Sequence, residues 1–65
     1  MDYSFALEVH GGTPPVQGPF DSLSEALAAV DKYVAPGGTY SISEFPRGGN
    51  RVVTGRVVRE GKRHA

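Results

Sequence analysis

Tyr3, Phe5, Leu7 and Val9 alternate with Ser4, Ala6, Glu8 and His10, the period of two that predicts a half-buried strand. From Gly11 to Pro19 the rhythm breaks into three glycines and three prolines, which predicts an extended loop without helix or ladder potential. The period changes again at Phe20. Ser22-Leu23-Ser24-Glu25 fits a capping box, a hydroxyl at the N-cap with a carboxylate three residues on. Leu23, Ala26, Leu27, Val30 and Val34 follow at helical spacing as one apolar stripe. Ala35-Pro36-Gly37-Gly38 stops the helix, because proline cannot continue it and glycine accepts the reversed backbone. Thr39 to Phe45 returns to a strand pattern, with Tyr40 and Ile42 on one side and Ser41, Ser43 and Phe45 on the other. Pro46 to Asn50 has turn chemistry, and Arg51 to Arg59 is predicted as a third strand.

These elements spell an α+β domain of β-α-β-β order over residues 1–60, followed by a basic tail at 61–65 expected to be flexible. The densest β-branched content, Val52, Val53, Thr54, Val57 and Val58, suits a central strand. The expected sheet is therefore three-stranded and mostly antiparallel, in order 1-3-2, with the helix on one face; order 3-2-1 with a parallel pair is the competing arrangement. On this reading the helix covers Tyr3, Phe5, Leu7, Val9, Tyr40, Ile42, Val53 and Val57, and Gly55 lets Ala26 and Ala29 approach the sheet closely. The opposite face is expected to stand open, displaying Ser4, Ala6, Glu8, Ser41, Ser43, Phe45, Val52, Thr54, Arg56 and Val58. An exposed face carrying Phe45, Val52 and Val58 is an interface candidate, although scattered surface hydrophobes are common.

Size sharpens that expectation. The chain has 65 residues and no cysteine, so neither a disulfide nor a thiolate metal site supports a core that is small at this length. Apolar content is 38%, but its periodic placement argues against disorder. No signal peptide is evident and no apolar run is long enough to span a bilayer, so a cytoplasmic, non-membrane protein is expected. Net charge is zero, yet it is segregated: residues 1–32 are net four negative and residues 33–65 net four positive. Such polarity can steer a charged partner or align two copies.

Candidate chemistry is sparse. The Gly-Gly pairs at 11, 37 and 48 fit neither a phosphate-binding loop nor a dinucleotide fingerprint and mark turns. His10 and His64 are the only imidazoles. A Ser-His-Asp device would need His10 beside Ser41 or Ser43, a pairing that nothing in the sequence fixes. Glu8-x-His10 is too few ligands for a metal, and Asp21 and Glu25 belong to the helix N-terminus. No catalytic, cofactor-binding or metal-binding residue is therefore assigned. Arg47, Arg51, Arg56, Arg59, Lys62 and Arg63 concentrate in the last hairpin and tail, a density able to grip phosphates. The open face offers only Phe45 as a stacking platform, where single-strand binders use several aromatics. Pro14 to Pro19 reads as a stiff connector rather than a polyproline ligand.

The stretch Val16-Gln17-Gly18-Pro19-Phe20-Asp21-Ser22-Leu23-Ser24-Glu25-Ala26 resembles the capped-helix lead-in of peptidoglycan-binding sporulation-type repeats and is similar to that of HicB-like antitoxins. The chain is read as lacking the second helix and fourth strand of the first family and the leading hairpin of the second, and no functional residue is carried over. The expected function is a small non-enzymatic interaction module, of a phage- or operon-accessory type, binding a protein partner or a second copy of itself. Phe45, Val52, Thr54 and Val58 would bury area and Arg56 would fix register. Edge pairing by a strand is another use of the same fold. The alternative is a nucleic-acid binder using the arginine-rich hairpin and tail.

Overall fold

The computed structural model describes residues 2–64; Met1 and Ala65, the last residue of the expected tail, lie outside the described residues. The chain runs β1 (Tyr3–Val9), β2 (Val16–Phe20), α1 (Leu23–Tyr33), β3 (Thr39–Pro46), α2 (Arg51–Thr54) and β4 (Arg56–Lys62). The strands form one sheet of order β2-β1-β3-β4, antiparallel at every junction. The α+β class and the helix on an antiparallel sheet agree with the sequence. The strand count and order do not.

The additional strand is β2, which the proline and glycine content had assigned to a loop. It pairs Phe20 with Phe5, Gln17 with Leu7 and Val16 with Glu8, and Val9 N–H donates to Pro15 O at 2.7 Å. Proline is tolerated there because β2 is an edge, where one side of the strand makes no ladder bonds. Gly18 has φ +129°, and a Cβ on it would stand 3.0 Å from Phe5 O, so the irregular step of this hairpin requires glycine. The chain thus has an opening β1–β2 hairpin and four strands, neither of which its sequence pattern predicts.

That hairpin decides the order. It reverses the chain before α1, so the crossover runs from β2 over β1 to β3 and leaves β2 and β3 parallel to each other on either side of β1. Only the far edge of β3 remains for β4. The β-branched strand expected at the centre therefore sits at the rim, and the order 1-3-2 is replaced.

Helix α1 forms as expected. Ser22 Oγ accepts from Glu25 N–H at 3.1 Å, while Glu25 Oε2 accepts from Asp21 N–H at 2.9 Å. Its Ala26, Ala29, Val30 and Val34 pack on Phe5, Leu7, Val9 and Ile42, with Phe20, Leu23, Leu27, Tyr40 and Val58 at the margin. Leu7, Ile42 and Val34 are the largest fully buried side chains, each contributing about 1.5–3 kcal/mol. Tyr3, Val53 and Val57, placed in this core by the sequence pattern, are instead exposed.

The segment expected to begin the last strand is helical. Asn50 Oδ1 accepts from Val52 N–H at 2.8 Å and Val53 N–H at 3.3 Å, and Gly55 N–H donates to Arg51 O at 2.8 Å. A cap at each end closes one turn, and this local bonding overrides the strand preference of Val52, Val53 and Thr54. Gly55 is the C-cap of α2, not a site of helix–sheet approach. β4 continues through Lys62, and Arg63 extends it: Arg63 N–H donates to Gly38 O at 2.8 Å and Gly37 N–H donates to Arg63 O at 2.7 Å. The strand thus continues two residues past position 60.

Candidate interaction surfaces

Ser4, Ala6, Glu8 and His10 point away from α1, opposite Phe45, Ser43, Ser41 and Thr39 of β3. This is the face expected to stand open. Ser4, Ala6, Ser41, Ser43 and Phe45 are all buried on it. α2 lies against β3, and Arg51 Nη1 reaches Glu8 Oε2 at 3.5 Å. Among the described residues these five sheet positions are therefore not open, and the expectation that nothing in the chain covers this face is corrected. Among the described residues no buried side-chain nitrogen or oxygen lacks a hydrogen-bond partner.

A polar cluster occupies one end of this face. His10 Nδ1 lies 2.8 Å from Thr39 Oγ1 and Nε2 lies 3.0 Å from Ser41 Oγ; a neutral ring donates through one nitrogen and accepts through the other, and the hydroxyls rotate to suit. The strand register thus supplies the His10–Ser41 pairing that the sequence left unfixed. Glu8 Oε1 stands 3.9 Å from Nε2, the nitrogen already facing the serine. A triad needs the carboxylate on the other nitrogen, and Thr39 holds that one. The cluster therefore orients a histidine across two strands without assembling a hydrolase triad. No group of three or more metal-ligating side chains occurs among the described residues, and those residues enclose no cleft.

The residues expected to form one contact patch are dispersed. Phe45 is buried on the second face, and Val52 and Thr54 belong to α2. Arg56 is paired with Glu44 at 3.2 Å. Val58, the extra residue where the β3–β4 register slips, packs toward the α1 core. In their place Val52 is 80%, Val53 77% and Val57 53% exposed, three valines within six positions. The pattern Asn50 to Gly55, a cap residue followed four positions later by a residue preceding glycine, was the sequence signal for the helical turn that presents Val52 and Val53.

The basic residues are likewise divided. Arg47 pairs with Asp21 at 3.3 Å, Arg51 with Glu8, Arg56 with Glu44 and Arg63 with Asp31 at 3.5 Å. Arg63 Nη1 also donates to Val34 O at 2.6 Å. Arg59 and Lys62 make no ion pair among the described residues. The acidic first half and the basic second half thus meet within one molecule, and the charge segregation of the sequence is largely cancelled in the fold.

The remaining exposed feature is the outer edge of β4. Arg63 directs both its N–H and its C=O inward to the Gly37–Gly38 segment, and Thr39 C=O accepts from His10 on the opposite side of β3 at 3.2 Å. Alternation of ladder bonds along an antiparallel strand then turns the backbone groups of Lys62 and Glu60 outward, away from β3. Among the described residues no strand lies beyond β4, and no helix among them is long and apolar enough to cross a membrane. Comparison of the chain with protein-family models, curated proteins and solved structures returned no match.

Proposed function

We propose that this chain is a small non-enzymatic binding module that docks a protein partner along the outer edge of β4, with the neighbouring valines adding apolar contact. The observation that carries the reading is the unpaired edge itself. β4 is seven residues long and has no proline, whereas the opposite edge, β2, is five residues long and interrupted by Gly18 and Pro19. Edge strands with free backbone groups template pairing with another chain. Val52, Val53 and Val57 are large apolar side chains that the domain leaves in water next to this edge in sequence. Nucleic-acid binding is the weaker reading, because four of its six candidate cations already face carboxylates.

Affinity capture with the wild-type chain, compared with Lys62→Pro and with Val52→Asp plus Val53→Asp, tests the proposal. Proline at position 62 removes an outward N–H without touching the β3 ladder, so partner capture is expected to fall while thermal stability stays near that of the wild type. Undiminished capture by Lys62→Pro refutes the edge reading, and undiminished capture by the double aspartate variant removes the valines from it. Retention on random-sequence DNA or RNA that is lost in Arg59→Glu plus Lys62→Glu transfers the assignment to nucleic acid.

A further inference from the structure

Resting on that edge reading, we infer that the partner of β4 is a second copy of the chain, joined by antiparallel β4–β4′ pairing about a two-fold axis through Gly61. The inference follows from backbone direction and charge together. Beyond the bulge at Val58 the regular stretch of β4 runs from Arg59 to Lys62, with Glu60 and Lys62 facing outward. Antiparallel pairing of two identical edges requires an outward residue opposite an outward residue. Within this stretch three registers qualify. One places Glu60 on Glu60′ and another Lys62 on Lys62′, both opposing like charges. The third places Glu60 on Lys62′ and Lys62 on Glu60′, with Gly61 facing Gly61′ on the axis.

This register sets two unlike pairs on the same sheet face, the face that carries Ser41 and Thr39 opposite Glu60 and Lys62. Two hydrogen-bonded residue pairs contribute four N–H···O bonds across the junction. Neither Glu60 nor Lys62 makes an ion pair within its own chain among the described residues, so both charges are available. The opposing term, repeated by the same symmetry, is Arg59 beside Arg63′ and Arg63 beside Arg59′. Arg63 is drawn away from the edge by its bond to Val34 O and by Asp31, which lessens that repulsion. The result is a continuous eight-stranded sheet with β2 at either end.

Equilibrium sedimentation over a wide concentration range tests the inference with wild type, Glu60→Lys, Lys62→Glu and an equimolar mixture of the two variants. The wild type is expected to dimerise. Each single reversal replaces two attractive contacts by two repulsive ones and is expected to weaken the dimer roughly tenfold. In the mixture, the lysine introduced at position 60 of one chain meets the glutamate introduced at position 62 of the other. The second junction keeps the native Lys62–Glu60′ pair, so a heterodimer of wild-type strength is expected. Gly61→Cys supplies a further readout: opposed residues of a non-hydrogen-bonded pair lie about 4.5 Å apart, within disulfide reach, so oxidation is expected to give a covalent dimer. A wild type that stays monomeric throughout overturns self-pairing and leaves the edge reading to the Lys62→Pro comparison. A dimer indifferent to both reversals overturns the register and assigns the interface to another surface.

Discussion

Replacing Arg63 by alanine removes a clamp rather than a loose surface charge. Its guanidinium donates to Val34 O at 2.6 Å, where α1 ends, and its side chain is 27% exposed. A hydrogen bond involving a charged group contributes about 1.5–3 kcal/mol, and a cation at the negative end of a helix adds a few tenths more. Asp31 is 83% exposed, so its ion pair with Arg63 contributes close to nothing. Partial solvent access favours the low end of the range, and Arg63→Ala is expected to cost about 1–2 kcal/mol. For a domain of this size that lowers the melting temperature by roughly 4–8 °C per kcal/mol. Lys62→Ala removes a neighbouring charge that has no ion pair among the described residues, and is expected to cost less than about 0.5 kcal/mol. Urea unfolding followed by far-ultraviolet circular dichroism, at one fixed low protein concentration, compares the two; the fixed concentration matters because self-association would raise apparent stability. Equal losses for the two variants refute the clamp and return Arg63 to the pool of solvated cations available to a phosphate.

Two further substitutions probe the rest of the domain. Leu7 is fully buried on an interior strand between Gln17 and Ile42, and Leu7→Ala is expected to cost about 2–5 kcal/mol, a large part of a total stability of about 3–10 kcal/mol for such a chain; a loss under about 1 kcal/mol in the same urea assay contradicts the core described here. In Gly55→Ala the new Cβ would collide with the Arg51 backbone carbonyl, so α2 is expected to unwind at a cost below about 2 kcal/mol, because no α2 residue is buried. Amide chemical shifts should then move between Asn50 and Gly55 and hold in β1 and β3, and an unchanged Asn50–Gly55 segment contradicts the steric reasoning.

Much of the α1 side of the fold was legible because its signals are periodic and local. The alternation of Phe5, Leu7 and Val9, the Ser22–Glu25 cap and the helical spacing of Ala26, Val30 and Val34 each identify an element without reference to the rest of the chain. β2 was not legible. Val16-Gln17-Gly18-Pro19-Phe20 has no alternation, and its strand geometry exists only because β1 supplies the partner groups. The last segment misled for the opposite reason: Val52, Val53 and Thr54 have strand propensity, but Asn50 and Gly55 close a helical turn around them. One unrecognised hairpin then moved the last strand from centre to rim and with it the candidate site. Phe45, Val52, Thr54, Arg56 and Val58 share a face only if residues 51–59 form one uninterrupted strand. The pairing of Arg51 with Glu8 and Arg63 with Asp31 joins residues far apart along the chain and leaves no short-range trace.

The placement of β4 also shapes how the domain breathes. Nearly all of the greasy interior is assembled from residues 5–42, and of the final strand only Val58 touches it. Detaching β4 therefore sacrifices ladder bonds but little oily contact, which puts it among the segments that open most readily. Each such excursion would bare the flank of β3, a fresh template for aggregation. A strand with little stake in the interior thus shields that seam, and Arg63 adds one fastening at its far end to the ladder that holds it.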